Sequence, residues 1–143
     1  MAEPLPTTIL IVEDEERNRR LLDVFVSADG FEAVLASDGA TALRMAASRA
    51  PALVLLDLMM PDMDGFEVMR RLKENPATRD IPVIIVSALD DMASRQRLMA
   101  CGAEEFICKP VDRWELSMRM RRLLDARRRA APVTPIPGSA AAA

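Results

Sequence analysis

Apolar positions along this chain fall into two alternating rhythms. Five short runs are rich in β-branched and other apolar residues: TTILIVE at 7–13, FEAVLA at 31–36, ALVLLD at 52–57, IPVIIVS at 81–87 and EEFICK at 104–109. The first, third and fourth leave no polar face, which is the pattern of parallel strands covered on both sides. Between the runs the apolar spacing changes to three and four residues, which predicts amphipathic helices. The faces so marked carry Leu21, Leu22, Phe25 and Val26, then Ala42, Leu43, Ala46 and Ala47, then Val68, Met69 and Leu72. Met92, Leu98 and Met99 mark the fourth, and Leu116, Met120, Leu123 and Leu124 the last. Five β-α units of this kind predict an α/β domain with a five-stranded, doubly wound parallel sheet, right-handed crossovers and helices on both faces. Periodicity leaves the strand order open.

Local signals agree with these divisions. Asp64 precedes Glu67 by three residues, as Asp112 precedes Glu115, a capping-box spacing with a carboxylate in place of the usual hydroxyl. Gly30 and Gly102 stand where helices should stop. From residue 130 the pattern fails: AAPVTPIPGSAAAA at 130–143 is a Pro- and Ala-rich linker or tail, and its last stretch has the composition of a cloning remnant. The folded domain is therefore expected over 7–129, after a lead-in of residues 1–6.

Composition narrows the chemistry. The length of 143 residues suits one domain, and 50% hydrophobic residues suffice for a core. No apolar run approaches the roughly 20 residues that cross a bilayer, and the N-terminus lacks a basic stretch ahead of its apolar run, so a cytoplasmic protein without membrane association is expected. A net charge of −3 and only four Phe and one Trp, with no Tyr, speak against polyanion binding and base stacking. The two cysteines, Cys101 and Cys108, are too few for a disulfide framework or a four-ligand zinc site and are expected in the core or at its edge. The absence of histidine removes Ser-His-Asp and Cys-His catalysis and any phosphohistidine carried by this chain.

Ligands of an open parallel sheet bind outside the carboxyl ends of its strands, near the point where the strand order reverses. The residues that end the runs there are Glu13 and Asp14 on the first, Asp57 on the third, Ser87 on the fourth and Lys109 on the fifth. Three converging carboxylates raise one another's pKa unless a cation sits among them. A hard divalent ion with oxygen ligands, Mg²⁺, fits that demand. With Lys109 as a second positive charge and Ser87 as a donor, such a site neutralises the oxygens of a phosphoryl group in transfer. Asp57 is the carboxylate placed to accept it as an aspartyl phosphate.

The acidic pair Glu13-Asp14 behind a first apolar run, DLMMPDMDG from Asp57 to Gly65, VSA at 86–88 and KP at 109–110 together resemble the receiver domain of bacterial two-component response regulators, chemotaxis-regulator-like, over about residues 7–127. The resemblance implies a flavodoxin-like (βα)5 fold with Asp57 as phosphoacceptor. It implies Asp14, Asp57 and the backbone carbonyl of Met59 as direct Mg²⁺ ligands, with Glu13 acting through water. Lys109 would bridge a phosphate oxygen, with a cis peptide to Pro110 in this family, a geometry that sequence alone does not give. Ser87 would turn toward the phosphoryl group and Phe106 would be the switch aromatic. The implied donor is a histidine kinase or phosphotransfer protein, and the implied activity is a switch with at most self-phosphorylation and slow self-dephosphorylation, not an enzyme.

Met59, Ala88 and Leu89 flank the expected phosphoryl position, and Met59 and Leu89 are expected to screen it from water. Two residues depart from the commonest pattern: Ser for Thr at 87, which keeps the hydroxyl, and Phe for Tyr at 106, which loses one. A Ca²⁺ loop reading of DMDG fails because Met60 occupies its first ligand position. A phosphatase with an aspartate nucleophile would need an acid two residues on, where Met59 stands. A vestigial interaction module would have lost an acid or Lys109, and neither is lost. The arginines of the last helix, Arg119, Arg121, Arg122, Arg127, Arg128 and Arg129, are expected to favour the helix dipole and solvent, with a partner surface as the alternative. No helix-turn-helix or winged-helix segment follows, so no direct nucleic acid binding is expected. The run GAEEFICKPVDRWELSMRMRRLL resembles receivers joined to cyclic-di-nucleotide enzymes, while a free-standing receiver, a downstream effector and a homodimer through the last helix all stay open.

Overall fold

The computed structural model describes residues 7–61, 63–88 and 91–130, with the backbone alone at 128–130. The elements run β1 (Thr8–Val12), α1 (Glu16–Ala28), β2 (Glu32–Ala36), α2 (Gly39–Arg49), β3 (Leu53–Leu56), α3 (Gly65–Glu74), β4 (Val83–Ser87), α4 (Met92–Ala100), β5 (Glu105–Cys108) and α5 (Arg113–Ala130). All strand pairs are parallel, in the order β2-β1-β3-β4-β5. The order that periodicity left open thus reverses at β1. The crevice between the carboxyl ends of β1 and β3 is the switch point. The expected lead-in and the tail from residue 131 lie outside the described residues.

Successive strand residues point to opposite faces, and both faces are apolar. Ile9, Ile11, Leu53, Leu55, Ile84, Val86 and Ile107 pack with Leu22 and Val26 of α1 and Leu116 and Met120 of α5. Leu10, Val12, Val54, Leu56, Val83, Ile85 and Phe106 pack with α2, α3 and Leu98 of α4. Each buried aliphatic side chain contributes about 1.5–3 kcal/mol relative to exposure. That burial holds the strand ends, and with them the site, in register.

Aspartates cap the starts of α2, α3, α4 and α5. Asp38, Asp64 and Asp91 accept from the backbone N–H groups of Thr41, Glu67 and Ser94 at 2.7, 2.9 and 2.8 Å. Asp112 accepts from Trp114 and Glu115 at 2.7 and 3.1 Å. The expected capping box at α3 is one-sided, because the Glu67 carboxylate turns to Arg70 and Arg71. Gly30 and Gly102 adopt φ of 87° and 106° where α1 and α4 stop. Ala50 closes α2 at φ 43° without glycine's freedom.

The helix faces differ from expectation in places. The α3 face is buried in full, but Leu21 on α1 and Ala47 on α2 are exposed. On α4 only Leu98 is buried, and Met92 and Met99 face outward. Cys101 is exposed at the end of α4 rather than in the core or at its edge, and Cys108 is half-buried on β5. The α5 arginines do not simply face solvent. Arg119 and Arg122 pair with Glu105 of β5, Arg121 reaches Asp29 at 3.7 Å, and Arg127 donates to the Ala52 carbonyl at 2.9 Å. The side chains of Arg128 and Arg129 lie outside the described residues. Among the described residues no helix is long and apolar enough to cross a membrane.

Candidate functional site

Backbone hydrogen bonds continue the sheet just past the strand ends and so fix the frame of the site. Glu13 N–H donates to Ala36 at 3.1 Å, Asp57 N–H to Val12 at 3.0 Å and Lys109 N–H to Ser87 at 2.9 Å. One carboxylate oxygen each from Glu13, Asp14 and Asp57 lie within 4.8 Å of one another. Glu13 and Asp57 are 1% and 5% exposed, whereas Asp14 faces solvent. Lys109 Nζ sits 2.6 Å from Glu13 Oε1 and 3.6 Å from Asp57 Oδ2. Its peptide bond to Pro110 is cis.

Of the other expected residues, Met59 touches this cluster directly. Ser87 is fully buried at the end of β4, and Ala88 beyond it is exposed. Met59 N–H donates to Asp57 Oδ1 at 3.2 Å, while the Met59 side chain is 60% exposed. Phe106 is already inside the core beneath α4. Leu89 lies outside the described residues. Asp14 does not cap α1: the cap position is Glu15, which makes no side-chain capping bond, so the Asp14 carboxylate stays available.

The electrostatics follow from burial and crowding. Burial, reinforced by the neighbouring Glu13 carboxylate, pushes Asp57 up to about 7, against the opposing pull of Lys109. Burial also opposes ionisation of Glu13, but hydrogen bonds with Asp57 and Lys109 outweigh it and hold that carboxyl below its ordinary value. Burial and then Glu13 raise Asp14. Burial disfavours the Lys109 ammonium, yet the Glu13 bond and the Asp57 charge more than compensate and raise it. At neutral pH the cluster carries more negative charge than Lys109 alone balances, and its all-oxygen donor set suits a hard divalent cation.

Two contributors escaped the sequence reading. Arg19 Nη1 donates to the backbone carbonyls of Glu13 and Asp14 at 2.9 and 3.3 Å, fixing the turn that presents both acids. Its position one turn into α1 is the only signal, and an arginine there reads as solvated. Gly65 starts α3 so close to the Asp57 loop that a Cβ would lie 2.5 Å from Leu58 Cα and 2.9 Å from the Asp57 carbonyl oxygen. The glycine after DMD was visible, but the reason for it was not.

Known proteins share this sequence pattern and this fold. The profile of the response regulator receiver domain matches residues 9–121. The response regulator PleD of Caulobacter vibrioides is 48% identical over 80% of this chain, which spans 25% of that protein's length. The receiver domain of a signal transduction histidine kinase from Syntrophus aciditrophicus is 34% identical, with a TM-score of 0.79 over 90% of this chain and 98% of that one. The receiver domain of a sensor histidine kinase from Pseudomonas aeruginosa, with a magnesium ion coordinated in its active-site cleft, is 26% identical, with a TM-score of 0.79 over 85% of this chain and 99% of that one. The chain belongs to the response regulator receiver domain family.

Proposed function

We propose that this chain is a phosphorylation-driven switch that accepts a phosphoryl group on Asp57. The carrying observation is a buried carboxylate at the end of an apolar strand, inside a three-acid cluster and 3.6 Å from a lysine ammonium. In the transfer a P–O bond forms to an Asp57 oxygen. The P–N bond to a donor phosphohistidine breaks, and its electron pair leaves with the imidazole. Asp14, Asp57 and the Met59 carbonyl are the residues that would hold Mg²⁺, with Glu13 behind them. Bound there, Mg²⁺ supplies charge neutralisation for the phosphoryl oxygens. The ion in the Pseudomonas relative supports this assignment.

Lys109 would give up its hold on Glu13 to bridge a phosphoryl oxygen, and Ser87 would donate to another. Because Phe106 is already buried, the phosphoryl group would act by favouring that ring position over an outward one rather than by creating it. Met59 and Leu89 would screen the acyl phosphate from water. The switch domain would span 7–129 and work in the cytoplasm with a histidine kinase or phosphotransfer protein. Its output would pass through an effector domain or partner, and a homodimer through α5 is compatible with that role.

Intact mass after incubation with Mg²⁺ and a small phosphodonor tests the reading. One added phosphoryl mass, dependent on Mg²⁺ and absent in Asp57→Asn, is expected. No gain, with no Mg²⁺ binding, would favour a vestigial interaction module. Repeated turnover of a phosphate ester would make the chain a phosphatase.

A further inference from the structure

α4 is weakly embedded for a helix on a buried sheet. Leu98 is its only buried residue, and Met92 and Met99 are 72% and 46% exposed. Charge on aromatic faces also ties it to its neighbours. The Arg97 guanidinium lies 4.0 Å from the centre of the Phe66 ring on α3, and the Arg95 guanidinium 4.7 Å from that of Phe106 on β5. A cation over a ring face is attracted by the ring's quadrupole, an interaction that strengthens as water is removed. α4 is therefore tied on one side to the helix that starts at Gly65 and on the other to β5.

Phe106 has no hydroxyl with which to fix its orientation, and free volume lies beside it. A groove of about 300 Å³, walled by Arg95, Met99, Glu105 and Arg119 among others, opens next to the ring. The ring nevertheless stays 8% exposed, opposite Ile85 and two residues along the sheet from Ser87 and its partner Cys108. We propose that Arg95 is a positioning residue for the switch: its guanidinium does for Phe106 what a hydroxyl hydrogen bond does for tyrosine, holding the ring buried. Arg97, seated on Phe66, keeps α4 where Arg95 can do so. The ring and α4 then move together, because the ring cannot leave the core without breaking or dragging the Arg95 contact. The inference rests on reading Phe106 as the switch ring.

Fluorine NMR of protein labelled with 4-fluorophenylalanine tests it, since the chain has only four Phe and Phe106→Leu identifies the resonance. In the unphosphorylated protein, Arg95→Gln should move or broaden the Phe106 signal, lowering the buried-to-outward ratio about two- to five-fold, the range expected for a partly exposed contact of this kind. Arg95→Lys should restore most of the shift because it restores the charge. Arg97→Gln should disturb the Phe66 signal first and Phe106 less. A Phe106 signal unchanged in Arg95→Gln, or identical in the Gln and Lys variants, overturns the proposal. Beryllofluoride with Mg²⁺ separates the two ideas: no spectral change in any variant would count against the phosphoacceptor reading, while the Arg95 comparison is made without that ligand.

Discussion

Replacing Asp57 by Asn should make this protein more stable, and only where the carboxylate would be charged. Asp57 is buried beside Glu13, which pushes its carboxyl up to about 7 from the ordinary 3.8. The folded state therefore binds that proton more tightly than the unfolded chain does. The contribution of Asp57 to stability therefore falls as pH rises from about 4 through 7 and then levels off, and the comparison with Asn isolates it from the other carboxyls. At about 1.36 kcal/mol per unit, the full penalty is roughly 4 kcal/mol, and relaxation of Lys109 between Glu13 and Asp57 reduces it to about 2–4 kcal/mol. Asn keeps the acceptor for the Met59 N–H and sheds the charge. Urea unfolding followed by far-ultraviolet circular dichroism, without divalent ions, should show Asp57→Asn stabilised by that amount at pH 8. At pH 4 the advantage should shrink to under about 1 kcal/mol. Adding Mg²⁺ should raise the wild type and leave the variant nearly unmoved. Equal midpoints at pH 8, or an advantage that does not change with pH, would refute the argument that unbalanced charge is stored at this site.

Three further outcomes follow from the same geometry. Lys109→Met strips the fully buried Glu13 of its 2.6 Å partner and should cost about 2–4 kcal/mol at pH 7, read as a lower urea midpoint, together with loss of phosphoryl gain. Gly65→Ala places a methyl 2.5 Å from Leu58 Cα and should cost about 1–3 kcal/mol while slowing phosphoryl uptake through the displaced Asp57 loop, both measurable on one preparation. Ala50→Gly relieves a left-handed residue at φ 43° and should raise stability by about 0.5–1 kcal/mol with no effect on phosphorylation.

The central strands β1, β3 and β4 were legible because parallel strands covered on both faces must be apolar almost throughout, while the edge strands β2 and β5, which carry Glu32 and Glu105, were marked by their regular spacing between helical patterns. α3 was legible for the same kind of reason, as its whole predicted face is buried. The convergence of Glu13, Asp14, Asp57 and Lys109 was legible because a carboxylate ending a run such as ALVLLD has no packing explanation. What stayed hidden depends on contacts that sequence spacing does not encode. Strand order comes from which helices cover which face. The pairing of Glu13 with Lys109 joins residues 96 positions apart. Met92 and Met99 misled because apolar spacing marks a helix face without telling how much of that face the sheet covers, and on α4 it covers Leu98 alone. The α5 arginines misled in the same way, since burial of a guanidinium's stem and its partner are tertiary facts.

The single tryptophan of the chain, Trp114, opens α5 with 71% of its surface in solvent, and there is no tyrosine. The guanidinium of Arg113 lies 4.9 Å from its ring, and Met118, one turn on, is also exposed. Its fluorescence should thus emit at long wavelength even in the folded protein and change little on unfolding. The same placement makes it an optical sentinel. A partner that covers the start of α5 should shift the emission to the blue and shield it from iodide, while one that docks elsewhere should leave it dark to the event.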